Sequence, residues 1–287
     1  MSRWAYVNGQ YLPKSHATVH VEDRGYQFAD AVYEVWAVMD GRLADFEGHM
    51  TRLERSLEEL RIRMPMTRAA LTQVLRETVR RNRVRDGLVY LQISRGTAPR
   101  DHAFPSSDTP PSVVVTAKSI DRRKQEAAAA RGTAVVTRPD NRWGRCDIKT
   151  VGLLPNILAK QEALDAGAGD AWLVDDLGLV TEGTSSNAWI VDRDGTLRTR
   201  DIQSNILRGV TRAAIVAIAA EEGLHFEERG FTPDEVKQAR EAFFTNASGF
   251  ATPVVAIDGA KIGDGKPGPV SRRLRQLYIE RSETGAV

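Results

Sequence analysis

Asn8-Gly9, Asp40-Gly41, Leu177-Gly178 and Asp194-Gly195 each stand between two short apolar runs. Asn-Gly and Asp-Gly adopt positive φ at little cost, so such pairs close tight antiparallel hairpins whose twist matches the flanking strands. The runs they join are 4–7 (WAYV) with 11–12, 34–39 (EVWAVM) with 42–44, 171–175 (AWLVD) with the segment after Leu177-Gly178, and 187–191 (NAWIV) with the segment after Asp194-Gly195. A chain built from hairpins does not build its sheets from a regular βαβ repeat.

Helical spacing fills the intervals. Leu53, Leu57 and Leu60 predict a helix over 49–62, and Thr67 is a good N-cap for a second helix reaching 83. Residues 87–94 and 112–117 read as strands, and the segment 95–111, with four prolines, reads as a long loop. Long loops inside compact domains tend to carry function. Composition shifts at 118–131 (KSIDRRKQEAAAAR), which marks a partly helical interdomain linker. Beyond it we expect a strand at 133–137, a helix from Pro155 to about 166, and a helix at 210–222 closed by Gly223. A helix at 233–240, strands at 242–245 and 253–257, and a last helix at 269–281 complete the reading. The expectation is an α/β chain of α+β type in two domains: 1–118, a linker at 119–131, and 132–287.

Net charge is +2 with both signs interspersed, so nothing points to nucleic acid or a membrane surface. The arginine-rich stretch 76–85 alternates with apolar positions and reads as a solvated helix face. One cysteine, Cys146, excludes an internal disulfide framework and a cysteine-based metal site. With no signal-length or membrane-length apolar run, the expectation is a soluble cytoplasmic protein.

Lys149 is the unusual lysine. The chain has eight lysines against 32 arginines, and this one sits among Ile148, Val151, Leu153 and Leu154. Partial desolvation lowers an ammonium pKa and frees the neutral amine as a nucleophile, which a Schiff-base lysine requires. On the local sequence alone, a lysine that snorkels from an apolar surface is the simpler reading.

The other candidates are weaker alone. No G-x-G-x-x-G lies in a βαβ setting and no P-loop motif is present, but Gly209 leads into a helix whose first amides, Val210 and Thr211, suit an anion. Glu182 is a carboxylate among small hydroxyl residues (181–187, TEGTSSN). Arg100 and His102, two apart on the long loop, point the same way and suit a carboxylate. His16 and His20 lie in strand-like context, and His49 opens a helix, where capping or packing is the default. No histidine–carboxylate cluster has metal spacing, and G-x-S-x-G is absent.

Taken in order, these segments resemble the fold-type IV pyridoxal-phosphate enzymes, and within them the D-amino-acid aminotransferases. The resemblance runs through 23–35 (DRGYQFADAVYEV), 49–53 (HMTRL), 95–102 (RGTAPRDH), 145–149 (RCDIK), 181–187, 206–212 (ILRGVTR) and 252–259 (TPVVAIDG). It covers nearly the whole chain. It implies a smaller N-terminal α/β domain and a larger C-terminal pseudo-barrel α/β domain.

The resemblance also implies roles. Lys149 is the Schiff-base lysine and proton shuttle. Glu182 pairs with the pyridine nitrogen and Arg142 supports it. Arg52 and the amides of Val210 and Thr211 hold the 5′-phosphate of pyridoxal 5′-phosphate. Tyr33, Arg100 and His102 bind the substrate α-carboxylate, the latter two reaching in from a partner subunit, which implies a homodimer. One departure stands out in 245–253 (TNASGFATP): Ala247 occupies the position where the family presents a hydroxyl to the phosphate. The contact then falls to the Ala247 amide, Asn246 or Ser248, and the change at 248–250 reshapes the substrate side-chain pocket around Ser248. The implied reaction is ping-pong amino transfer between a D-amino acid such as D-alanine and a 2-oxo acid such as 2-oxoglutarate. Branched-chain L-amino-acid aminotransferase, (R)-amine transaminase and 4-amino-4-deoxychorismate lyase are the same-fold alternatives, and an inactive ligand-binding relative is the alternative from another class.

Overall fold

The computed structural model describes residues 3–203 and 205–286. Ser204, at the start of the sequence segment that leads to Gly209, lies outside the described residues. The chain divides into two units: 1–121 with 148–152 and 282–287, and 122–147 with 153–281.

The first unit is built on a six-stranded sheet. Its elements are β1 (Trp4–Val7), β2 (Gln10–Pro13), α1 (Arg24–Phe28), β3 (Ala31–Met39), β4 (Arg42–Leu43), α2 (Phe46–Glu59), α3 (Arg68–Arg81), β5 (Gly87–Ser94) and β6 (Ser112–Ser119), and the strand order is β2-β1-β6-β5-β3-β4. Asn8 and Gly9, at φ 46° and 96°, turn β1 into β2. Asp40 and Gly41, at 49° and 80°, turn β3 into β4. Strand alternation sends Val32, Trp36 and Val38 of β3, Val89, Leu91 and Ile93 of β5, and Val113 and Val115 of β6 to one face. There they meet Met50, Leu53 and Leu57 of α2 and Leu71, Leu75 and Val79 of α3. Each such side chain contributes roughly 1.5–3 kcal/mol of burial. Thr67 caps α3 by accepting from the Ala70 amide at 3.2 Å, as its position predicts.

α2 starts at Phe46, three residues before the expected 49, because Phe46 packs on the Trp36 ring 6.4 Å away and so joins the helix to the core. His16 and His20 lie outside the strands. The turn 14–16 is a short 3-10 helix after Pro13, whose ring disfavours continued pairing, and His20 accepts from the Glu22 amide at 3.1 Å.

The second unit contains α4 (Arg122–Arg131), β7 (Thr133–Pro139), α5 (Leu154–Asp165), β8 (Asp170–Val174), β9 (Val180–Gly183), β10 (Asn187–Val191), β11 (Leu197–Thr199), α6 (Val210–Glu221), β12 (Phe226–Glu228), α7 (Pro233–Gln238), β13 (Glu241–Asn246), β14 (Phe250–Ile257), β15 (Ala260–Lys261) and α8 (Pro269–Gly285) as far as Arg281. The sheet runs β12-β11-β10-β13-β14-β7-β8-β9, with β15 on β14. β9 passes into β10 through a turn closed by Gly183 N–H donating to the Ser186 carbonyl at 2.7 Å. One end of the strand path therefore returns to its middle, and β10 round to β9 forms the expected pseudo-barrel. Val135, Trp172, Val180, Ile190, Phe231, Val254 and Ile257 fill its core.

Two boundaries differ from the sequence reading. The division falls between Asp121 and Arg122, and the helical part of the expected 119–131 linker, an alanine run that favours helix, is α4. The expected 132–287 domain also cedes two segments to the first unit: 148–152, which pair with β3, and 282–287.

Candidate active site

In the first unit, Lys149 is held by backbone. The Tyr33 amide donates to the Lys149 carbonyl at 3.0 Å, the Val151 amide donates to the Ala31 carbonyl at 3.1 Å, and Val32 and Thr150 form an antiparallel bridge. Residues 149–151 thus extend the sheet along the edge of β3 not occupied by β5. Ile148 anchors this strip by burying its side chain in the core between sheet and helices. The Lys149 amide donates to Ser56 Oγ at 3.4 Å. Lys149 itself is half-buried, with Nζ 4.0 Å from the centroid of the Tyr33 ring. The structure so brings Lys149 and Tyr33 together, and Tyr33 is braced by stacking on Tyr90 at 5.6 Å.

Alternation along β3 turns Glu34 toward α2. Glu34 is fully buried, and its carboxylate accepts from Arg52 Nε at 2.7 Å and Nη2 at 2.8 Å, with His49 Nδ1 2.8 Å away. Burial alone would raise the Glu34 pKa, but the Arg52 charge and hydrogen bonds outweigh it and hold the carboxyl well below the usual range. Burial pushes His49 down, so it sits as a neutral imidazole near pH 7. Arg52, expected at the phosphate, is therefore held rigidly by Glu34.

The loop after β5 is fastened by Asp30. Its carboxylate takes Arg95 through Nε at 2.7 Å and Nη2 at 2.9 Å, and Arg24 Nε at 2.8 Å. Arg95 also donates to the carbonyls of Leu60 and Arg61 and lies 3.6 Å from the Phe104 centroid. Arg24 Nη1 donates to the Asp101 carbonyl at 2.6 Å. Gly96 has φ 108°, and a side chain there would strike the Pro110 carbonyl, so this turn requires glycine. On this frame Arg100 and His102 are exposed and gather around Phe28, the guanidinium 5.0 Å and the imidazole 5.6 Å from its centroid.

In the second unit, β9 carries Glu182. Arg142 Nη1 donates to Glu182 Oε1, while Arg142 Nε and Nη2 grip Asp140 at 2.8 and 2.7 Å. Asn187 Nδ2 donates to Glu182 Oε2 at 2.9 Å, and the Leu207 amide donates to Oε1 at 3.2 Å. Burial raises the Glu182 pKa more than the Arg142 charge and bond and the Leu207 amide lower it, and the Asp140 charge adds a smaller push in the same upward direction. Cys146 is not activated. Its thiol lies against the Trp143 carbonyl and is pushed up to about 11 by burial.

Asn187 also ties Glu182 to the start of α6. It donates to the Leu207 carbonyl at 3.0 Å, and a Cβ on Gly209 would fall 1.9 Å from Asn187 Oδ1. Only glycine lets the chain pass there into Val210 and Thr211. Among the described residues no side chain caps α6, so its first amides are left to an outside acceptor. Between β13 and β14, Asn246 Oδ1 accepts from the Ser248 amide and hydroxyl at 3.1 Å each and from the Gly249 amide at 2.6 Å. Asn246 and Ser248 thus bind each other and shape the turn around Ala247.

The sequence reading missed Asp30, Glu34 and Asp140. Asp30 and Glu34 hold a named site residue or its loop from far along the chain, and for Asp140 the only local signal was its two-residue spacing from Arg142.

Residues 31–257 match the Amino-transferase class IV family. The chain belongs to the class IV aminotransferases. It is 41% identical over 268 residues to the D-alanine aminotransferase of Bacillus licheniformis, covering 93% of each chain. The D-alanine aminotransferase of Staphylococcus haemolyticus is 39% identical, over 96% of this chain and 97% of that one. Among solved structures, the branched-chain aminotransferase of the thermophilic archaeon Thermoproteus uzoniensis with norvaline superposes with TM-score 0.88 at 25% identity, over 99% of this chain and 96% of that one. The Escherichia coli branched-chain amino acid aminotransferase gives TM-score 0.91 at 24% identity, over 99% and 96%, a likeness of fold.

A class IV aminotransferase uses pyridoxal 5′-phosphate. The donor set fits that group: a buried carboxylate short of positive charge suits a ring N–H⁺, uncapped helix amides suit a phosphate, and a half-buried lysine suits an aldehyde. No helix among the described residues is long and apolar enough to cross a membrane.

Proposed function

We propose that this aminotransferase moves the amino group of a D-amino acid such as D-alanine to a 2-oxo acid such as 2-oxoglutarate, in two half-reactions of a ping-pong cycle. The observation that carries this reading is the pair Arg100 and His102, exposed together on the Asp30-fastened loop. Two donors set side by side suit an α-carboxylate, and a simple amine has none. The relatives called D-alanine aminotransferase support the D-amino acid.

Lys149 carries the cofactor and its Nζ then moves the proton to and from the substrate Cα. When bound, the cofactor supplies an electron sink for that carbon. Glu182 holds the ring nitrogen protonated, and Arg142 steadies Glu182. Arg52, the amides of Val210 and Thr211, and the backbone amide of Ala247 hold the phosphate. Asn246 shapes the turn that presents that amide. Tyr33, Arg100 and His102 orient the carboxylate, and Ser248 borders the substrate side chain. We place the enzyme in the cytoplasm as a homodimer, with Arg100 and His102 serving the partner's site. Their exposure and the unpaired Cys146 support this.

The test mixes purified enzyme separately with D-alanine, L-leucine and (R)-1-phenylethylamine and follows the cofactor's visible band. The band should fall with D-alanine alone. A response only to L-leucine or the amine, or pyruvate release from 4-amino-4-deoxychorismate without an acceptor, overturns the assignment. Arg100→Leu should weaken D-alanine by about tenfold to a hundredfold, the loss of a charged hydrogen bond. For the dimer, mixing Lys149→Ala and Arg100→Leu subunits should restore activity at one site per hybrid, and no restoration contradicts the shared site.

A further inference from the structure

Three ionic groups meet around Glu182, and their charges do not cancel. Asp140, Arg142 and Glu182 have side chains 5%, 7% and 5% exposed. Two carboxylates and one guanidinium leave one negative charge in excess, away from water. Among the described residues the other hydrogen-bond donors to the two carboxylates are neutral: the Thr181 hydroxyl donates to Asp140 at 2.7 Å, and Asn187 and the Leu207 amide donate to Glu182, while the nearby Cys146 thiol is uncharged at neutral pH.

The arginine is divided unequally. Its fork, Nε and Nη2, closes on Asp140 in the bidentate geometry that makes guanidinium–carboxylate pairs strong. Glu182 receives a single Nη1 bond. Asp140 is itself locked, since the Arg142 amide also donates to its Oδ1 at 3.2 Å. Without Asp140 the fork would be free to turn on Glu182 and neutralise it.

We propose that Asp140 is a positioning residue: by holding the fork of Arg142 it leaves Glu182 one positive charge short of neutrality, matched to one external cation, the protonated ring nitrogen of the cofactor. This rests on the cofactor reading above. A buried excess charge is costly until its counter-charge arrives, so the triad favours a cationic ring over a neutral one. Asp140 acts here without touching the ring.

The test uses affinity. The cofactor is removed, and the protein is titrated with pyridoxal 5′-phosphate and with its carbocyclic analogue, in which the ring nitrogen is replaced by CH. Asp140→Asn is expected to weaken pyridoxal phosphate about tenfold while changing the analogue less than about twofold, a coupling specific to the ring nitrogen. Asp140→Glu, which keeps the charge, should recover most of the loss. Equal weakening of both ligands would make Asp140 a shape determinant only and overturn the proposal, as would no weakening of either. If D140N does not fold, Thr181→Val, which removes a bond to Asp140 and keeps its charge, decides. A smaller nitrogen-specific loss supports the proposal, and an unspecific loss or none overturns it. Failure of the wild-type protein to bind pyridoxal phosphate would instead overturn the cofactor reading itself, and this proposal with it.

Discussion

Glu34 and Glu182, one in each unit, both bury a carboxylate against an arginine, yet their surroundings push them in opposite directions. Glu34 receives two bonds from Arg52 with His49 alongside, and its pKa lies below the ordinary range. Glu182 receives one bond from an arginine whose fork belongs to Asp140, and burial keeps its pKa raised. The number of nearby cations is the same. What differs is how completely each carboxylate is neutralised, and that separates a structural anchor from a group waiting for a ligand.

The two respond to pH with opposite sign. The depressed Glu34 contributes stability that is present above the unfolded glutamate pKa and lost as pH falls toward its folded value. The raised Glu182 contributes stability that is full below the unfolded pKa and lost as pH rises through its folded value. Cofactor-free protein should therefore weaken through Glu182 as pH rises above the unfolded glutamate pKa, until a bound cation removes the deficit.

The largest expected effect comes from breaking the satisfied pair. Glu34→Gln leaves Arg52 as an uncompensated buried charge and should cost about 3–5 kcal/mol in denaturant unfolding of the cofactor-free protein. A loss below about 1 kcal/mol would mean that Glu34 and Glu182 are not different in kind. Glu182→Gln should reverse the pattern. Cofactor-free stability near neutral pH should change little, while kcat for D-alanine falls about a hundredfold or more. A large stability loss with modest kinetic loss would make Glu182 a second anchor.

The smallest effect belongs to Asp30, a satisfied carboxylate that positions a loop. Arg95 and Arg24 hold it below the ordinary range despite its burial. Asp30→Asn should raise KM for D-alanine about tenfold and leave kcat and cofactor affinity within about twofold. A fall in kcat with unchanged KM would contradict its role in holding Arg100 and His102.

The same contrast explains what was legible in the sequence. The hairpin turns at Asn8-Gly9 and Asp40-Gly41 and the strand 87–94 were readable because turn chemistry and period-2 alternation are local. Lys149, Glu182 and Arg142 were readable as positions through their ordered resemblance, and the match over 31–257 carries the family. Their supports were not readable. Glu34 meets Arg52 across 18 residues, Asp30 meets Arg95 across 65, and Thr181 meets Asp140 across 41. Those pairings depend on which strands lie side by side. The pairing of 149–151 with β3 was hidden for the same reason.

The most direct measurement is the pH titration of both carboxyls in the cofactor-free protein by carbon-13 NMR, assigned with the E34Q and E182Q variants. Glu182 should titrate above the ordinary glutamate range and Glu34 below it, and adding pyridoxal 5′-phosphate should leave Glu182 ionised across the accessible range. A Glu182 that titrates at or below the ordinary range in the cofactor-free protein, together with Glu34, would contradict the division between anchor and waiting site.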